Sequence, residues 1–547
     1  MKQNESKGSA LQAIFERLHW GYAERDDAFV AAKIVEQNEV DEVHNLNEGG
    51  LLDGFVAFLK DCGFMDCLAN LEIADRRRTM IPVLSLLLTY IAKTLCNIAS
   101  VYQLPALLFS DESAMKILGF NARLLEDGLT KRSREKRSEG KEAPKPFCPQ
   151  VLANLLGCMN VVESERLFNQ AITCLAQQGV FPKEVTTVID GTDVETTEKC
   201  VGAGMSTKTN VVNGQPVTYQ AFGFKAVVLF ELSTQLPIAV KVGKIHRHDS
   251  KFTHSLLKQA QRNLAGASRI TKVLADRGFI DGRMMWRMDQ QGIYFVCPAK
   301  KNMRVYKDAQ SLAGQDMGDA QVRKRKVVHG HGKHRTVEIL ETEVIGISNL
   351  TSWDQYQDPM LASTRNRRDY SPNPINAVVV RKWDNEEYGP EGKVVYLTNA
   401  PVKRPLTIFD SYDCRSLIEN TLFREGKQAW SLESIPKKTQ RAATAHIYIT
   451  FITLAMTTAY RSWNELEEDQ DDILSPIPDD LHGARRWRRE LSKRNQDRVI
   501  VFCDGYYGIF HVAEFTVLTG FRIRKIPPEL GTIQEIYERY GVSPPSQ

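Results

Sequence analysis

A chain of 547 residues is too long for one ordinary core, and 42% hydrophobic with 25% charged residues is the balance of a globular protein, which excludes a disordered or fibrous chain. With 71 Lys and Arg against 67 Asp and Glu the formal net charge is only +4, so affinity for nucleic acid has to come from where basic residues cluster, not from their total. The ten cysteines form no Cys-x-x-Cys, which excludes a zinc ribbon and gives no sign of a disulfide framework.

The opening MKQNESKGSA has no apolar run, and the most hydrophobic segment, Met80–Ser100, meets Lys93 too early for a membrane span. The expectation is a core helix in a cytoplasmic protein with no membrane partner. Apolar spacing of three and four residues continues to about Phe120, breaking at Pro105 and restarting with a capping pattern at Ser110 and Ser113. Residues 1–130 are therefore expected to be an all-helical N-terminal region. The charge run Lys131–Pro149 reads either as a solvated linker or as a DNA-contacting arm, and a helix over Val151–Gln178 completes residues 131–180.

Residues 181–300 change character. EVTTVID, YQAFGFKAVVLFEL and LPIAVKVG read as strands, SKFTHSLLKQAQRNL as an amphipathic helix, ITKVLAD as a strand, DGRMMWRMDQQG as a helix and IYFVCPAK as a strand. The order βββαβαβ predicts an α/β fold with a mixed sheet, antiparallel first and parallel after. Residues 301–405 read as a β-rich insertion with strands in HRTVEILETEVIGI, NAVVVRKW and KVVYLTNA, and basic loops at VRKRK and STRNRRDY. Helical spacing resumes at Ser411 within residues 406–465, and 466–547 holds an acidic linker, the basic helix ARRWRRELSKR and a small mixed segment, giving a mostly helical C-terminal region.

Two of the strands finish in acids followed closely by glycine, Asp190 in VIDGTD and Asp276 in LADRGF. Carboxylates at the ends of neighbouring strands can share hard divalent ions, and two such ions suit the in-line displacement of phosphodiester chemistry. A third acid is wanted on a helix. In SYDCRSLIENTLFREGKQAW, Tyr412, Arg415 and Glu419 fall at i, i+3 and i+7 and share one helical face. Taken alone, Arg415 and Glu419 read as an ordinary surface ion pair at i and i+4, and it is the two strand-borne acids that favour the other reading. Asp193, Asp281 and Glu425 are rival acids, separated from the others by strand-end position and by the spacing from Tyr and Arg.

These words, with ADRGF, IEN and FREGKQ, resemble the DDE transposases of bacterial insertion sequences, in the group with a Tyr-Arg-Glu-Lys signature. The resemblance covers roughly Val185–Trp430. It implies a ribonuclease H-like core, catalytic and metal-holding roles for Asp190, Asp276 and Glu419, and phosphate contacts from Tyr412, Arg415 and Lys427. It further implies two Mg²⁺ ions with Mn²⁺ able to substitute, double-stranded DNA (transposon ends and target) as partner, a homodimer in the synaptic complex, a hairpin intermediate, and a nucleoid-associated bacterial protein. One departure stands out: the signature places Lys seven residues after Glu, but Gly426 is there and the cation is Lys427, about 100° further round an ideal helix. Either the helix carries a local bulge that restores it, or Lys427 contacts phosphate from another angle. Alternatives are a metal-dependent nuclease of the same fold without strand transfer and a domesticated DNA-binding descendant.

Three further motifs carry two readings each. HGHGKH, His329–His334, is a metal site or a basic turn on the DNA backbone; Trp353 and Trp383 stack on a flipped base or pack a core; ARRWRRELSKR binds DNA or balances the acidic linker.

Overall fold

The computed structural model describes residues 23–38, 40–46, 49–77, 80–120, 146–212, 214–315, 318–329, 335–359, 373–382, 394–468, 488 and 495–544. The chain divides into two units, one of Met1–Leu167 with Glu425–Gln547 and one of Phe168–Arg424.

The N-terminal region is not all helical. Strands β1 (Glu24–Arg25) and β2 (Glu42–Asn45) flank the helix Asp27–Gln37. They are too short to show alternation, and their partners lie beyond residue 497, so no local pattern announces them. The helix Val83–Leu95 is buried almost throughout, Lys93 included, as expected for a core helix. Asp111, not either serine, caps the helix Glu112–Ile117, accepting from the Ala114 N–H at 2.9 Å. The helix expected over 151–178 is two, Gln150–Cys158 and Val161–Gln177. Asn160 breaks it by capping the second: its Oδ1 accepts from the Glu163 N–H (2.8 Å) while the Glu163 carboxylate accepts from the Asn160 N–H (2.9 Å).

In the unit Phe168–Arg424 the order opens with four strands instead of three: β3 (Glu184–Thr196), β4 (Gly204–Val212), β5 (Gln215–Glu231) and β6 (Leu236–Lys244). β4, an edge strand, leaves Met205 and Val211 exposed among polar residues, so it shows no buried face to the sequence. The helix Thr253–Asn263, β7 (Arg269–Ala275), the helix Gly282–Gln290 and β8 (Tyr294–Pro298) follow as expected. β3–β5 and β5–β6 are antiparallel; β3–β7 and β7–β8 are parallel.

The insertion opens with the helix Arg304–Gly314 and continues with β9 (Asp319–His329), β10 (Thr336–Leu350), β11 (Ile375–Lys382) and β12 (Val394–Thr398). It extends the core sheet, because β12 pairs antiparallel with β8, giving the order β4-β5-β3-β7-β8-β12-β11-β10-β9 with β6 also on β5. VRKRK lies inside β9, not in a loop: four consecutive cations hide a strand that pairs with β10 along its length. STRNRRDY lies outside the described residues.

In the other unit the helix Gln440–Glu468 contains a window, Gln440–Ser462, long and apolar enough to cross a membrane, and 94% of its most apolar stretch is buried inside the protein, as in a core helix. β13 (Arg498–Cys503) and β14 (Tyr506–His511) form a hairpin around Asp504 and Gly505, whose φ of 51° and 82° are those of a tight two-residue turn. The sheet order β1-β14-β13-β2 ties the two ends of the chain together.

His446 on the long helix is fully buried and fully bonded: the Tyr90 hydroxyl donates to Nδ1 at 2.8 Å, and Nε2 donates to the Ser431 and Leu432 carbonyls at 3.1 Å. Burial, aided by Lys93, holds its pKa down to about 3. The unfolded chain takes up this proton near pH 6.5 and the folded chain only near 3, so the associated stability is complete above 6.5 and is lost as pH falls. Replacing His446 with Gln is expected to make urea-unfolding free energy less steep between pH 6.5 and 5, by about 1.4 kcal/mol per pH unit. An unchanged slope would show that His446 is not the group that titrates.

Candidate active site

The two aspartates are brought together by register. β3 and β7 run parallel with Ile189 opposite Ala275, so the next residues, Asp190 and Asp276, are neighbours. Only Asp276 ends its strand, where it caps the short turn Arg277–Phe279. Asp190 lies within β3, which runs on to Thr196 because β5 is long enough to pair with it there, Asp190 lying opposite Val228. The expectation that both acids close a strand is corrected for Asp190. Its carboxylate accepts from the Gly191 N–H at 2.8 Å, and burial pushes its pKa up to about 6 against the opposing pull of Arg415.

Tyr412, Arg415 and Glu419 do not share one regular α-helix. The helix Pro405–Asp413 closes in a turn at residues 414–415, and Ile418–Phe423 is a π-helix in which the Arg424 N–H donates to the Glu419 carbonyl. The side chains converge nonetheless. Arg415 Nη1 donates to Asp190 Oδ2 and Nη2 to Glu419 Oε1, both at 2.7 Å, so one guanidinium spans two acids 229 residues apart in the chain. The surface-pair reading of Arg415 and Glu419 omits this third, part-buried member. Tyr412 donates its hydroxyl to the Ala275 carbonyl at 3.4 Å, one residue before Asp276, and its ring leans on Tyr396 at 4.7 Å. Burial raises its pKa, so the hydroxyl keeps its proton.

The helical segment that bears Glu419 does carry a bulge: Ile418–Phe423 is a π turn, which takes up one extra residue. Lys427 itself pairs with Glu433 at 2.9 Å. The rival acids have other partners or places: Asp193 pairs with Lys208 at 2.8 Å, Asp281 caps the helix Gly282–Gln290, and Glu425 lies in the first turn of the helix Arg424–Ala429.

Sequence reading missed Asp249 and Lys225. Lys225 Nζ meets Asp249 Oδ1 at 2.8 Å. A β-carbon at position 191 would come within 3.4 Å of Asp249 Oδ1, and one at 278 within 3.3 Å of Asp249 Oδ2 and 3.9 Å of Asp276 Oδ2. Both glycines after the two aspartates thus lie against a fourth carboxylate, with the closer approach at Gly278. Those glycines were the visible signal; RHDSKF around Asp249 offers none.

The other motifs resolve more simply. His329 pairs with Glu338 at 2.9 Å, while His331 and His334 lie outside the described residues. Trp353 is buried and stacked on Tyr356 at 5.4 Å, a packing role, and Trp383 lies outside. Of the basic stretch, Arg488 is described: it lies over Trp430 at 4.5 Å, and the remainder lies outside.

The donor chemistry at positions 190, 276 and 419 fits a hard divalent ion, since all three offer carboxylate oxygen, and a full positive charge already lies on two of them. Among the described residues a tighter trio of ligand atoms, within 4.8 Å of one another, occurs at Glu42, His44 and Glu112, but Lys116 already supplies Glu42 with a cation.

Lys225→Met strands the Asp249 carboxylate. It is expected to cost about 1–3 kcal/mol in urea unfolding, reduced from the fully buried case by partial exposure, and Asp249→Asn in the same chain should recover most of the loss. Additive losses in the double variant would show that the pair is not coupled.

Residues 181–456 match the family described as Transposase DDE domain. No curated protein matches the chain. A cryo-EM structure of a piggyBac transposase synaptic complex with hairpin DNA is similar over 86% of this chain and 80% of that one, at 9% identity and a TM-score of 0.36, too loose a likeness to bear on fold or chemistry. The family match takes in Asp190, Asp276 and Glu419 and covers half of the chain, which therefore belongs to the DDE transposases and is a DNA transposase, an enzyme dependent on divalent metal.

Proposed function

We propose that this transposase works by cut-and-paste: it nicks DNA at the ends of its element and joins the freed 3′-hydroxyl to target DNA, passing through a hairpin on the excised end. Three carboxylates drawn from two neighbouring strands and a distant helical segment, with one arginine spanning the first and the last, carry this reading. The sheet order β6-β5-β3-β7-β8, antiparallel on one side of β3 and parallel on the other, supports a ribonuclease H-like core interrupted by a β-rich insertion.

In this scheme Asp190, Asp276 and Glu419 hold two Mg²⁺ ions, with Mn²⁺ as substitute. The ions supply charge stabilisation to the attacking and leaving oxygens. Arg415 grips the phosphate beside the scissile bond through two parallel N–H donors, which a planar guanidinium does better than an ammonium. Tyr412 fixes the end of β7 and offers its protonated hydroxyl to the same phosphate, and Lys427, returned to phase by the π-helix, adds a second cation. Residues 1–130 read the element's terminal sequence, since the acid site has to accept any target, and the basic C-terminal segment adds affinity for the DNA backbone. Cutting two ends together calls for a homodimer on DNA, working in the bacterial cytoplasm at the nucleoid.

The test is incubation of the purified chain with a duplex carrying an element end, a target plasmid and Mg²⁺. Nicked ends and joined products are expected. Asp190→Asn, Asp276→Asn and Glu419→Gln should each lower both by on the order of a thousandfold while DNA binding stays within a few-fold. Nicking without any joining would make the chain a nuclease, and full activity in any of the three variants would remove that acid from the site.

A further inference from the structure

We infer that Arg415 is a resident counter-cation that occupies the metal-facing oxygens of Asp190 and Glu419 until DNA arrives, so that metal loading and DNA engagement form one coupled event. The inference rests on the metal-holding role proposed above for these acids.

Its basis is the geometry of one side chain. Arg415 gives one nitrogen to each acid at 2.7 Å, a two-pronged clasp that neutralises a part-buried carboxylate and draws in an exposed one, their side chains being 14% and 52% accessible. A divalent ion binds carboxylate oxygen at about 2.1 Å, and a guanidinium already bonded to Asp190 Oδ2 and Glu419 Oε1 competes with it for those oxygens and for their charge. Arg415 therefore yields those oxygens as metal takes them. It is placed to do so, because it sits in the turn at residues 414–415 between the helix Pro405–Asp413 and the π-helix, and not inside a regular helical turn.

Once released, the guanidinium keeps its charge and five donors, and leaving them unpaired in a part-buried site is costly. A DNA phosphate is the anion that takes them bidentately. Arg415 therefore moves from two carboxylates to a phosphate as the carboxylates move from Arg415 to metal. By linkage each event favours the other: DNA tightens metal, and metal tightens DNA. Lys225, ion-paired with Asp249 and near Asp193, is a cation of the same neighbourhood that does not bridge Asp190 and Glu419.

The experiment is titration of the full chain with Mn²⁺, followed by electron paramagnetic resonance, with and without a duplex whose 3′ ends are dideoxy-terminated so that no joining occurs. In the wild type, Mn²⁺ affinity is expected to rise about tenfold when duplex is added. In Arg415→Ala the affinity without duplex should already be about tenfold higher and gain little from DNA; Arg415→Lys, which keeps the charge but not the fork, should fall between. Lys225→Gln controls for loss of any nearby positive charge and should keep the DNA-dependent gain. Arg415→Ala binding Mn²⁺ no better than the wild type, or gaining as much from duplex, overturns the inference while leaving the transposase reading intact. Mn²⁺ binding insensitive to Asp190→Asn in every form overturns the metal-site reading itself.

Discussion

Negative charge is crowded where β7 ends beside the middle of β3, and the unit Phe168–Arg424 is arranged around keeping it there. Asp190 and Asp276 are fixed side by side by strand register, Asp249 lies against the glycine that follows each of them, and Glu419 comes from more than two hundred residues away. Such a set repels itself unless cations are built in. Two are: Arg415 across Asp190 and Glu419, and Lys225 on Asp249. The raised pKa of Asp190, despite its arginine, shows how much burial opposes charge at this position.

The same constraint explains the sheet. Parallel pairing of β3 and β7 is what brings two acids level, and the helical connection between β6 and β7 permits it, since parallel neighbours need a long crossover. β5 continues beside β3 beyond the point where β7 leaves, so Asp190 is held within a paired strand while Asp276 sits on a free turn. The insertion extends the sheet on the far side of β8, and the chain returns to the acids only at residue 405. A π-helix there spends one residue more than an α-helix would.

Much of this was legible in the chain. The apolar runs ending at Ala275 and Ile189, and the glycines after each acid, marked the two strands and the acids they carry, although only Asp276 closes its strand. The spacing of Tyr412, Arg415 and Glu419 marked the third component, although its assumption of one regular helix was wrong. The misses share a cause. β1, β2 and β4 exist through pairing with segments remote in sequence or through an exposed edge, so local periodicity is weak. VRKRK is a strand because β10 pairs with it, in spite of its side chains.

By itself the sequence determined which residue types were available for metal-assisted phosphoryl chemistry and the chain segments that bear them, because apolar periodicity and glycine placement are local physical signals. Only the tertiary structure decided that Asp249 and Lys225 join the acids, that Arg415 rests on Asp190 as well as on Glu419, and that Asp190 lies within a strand. Those facts depend on which distant segments pair and on how charge is compensated where they meet, and neither quantity is written in the spacing of neighbouring residues.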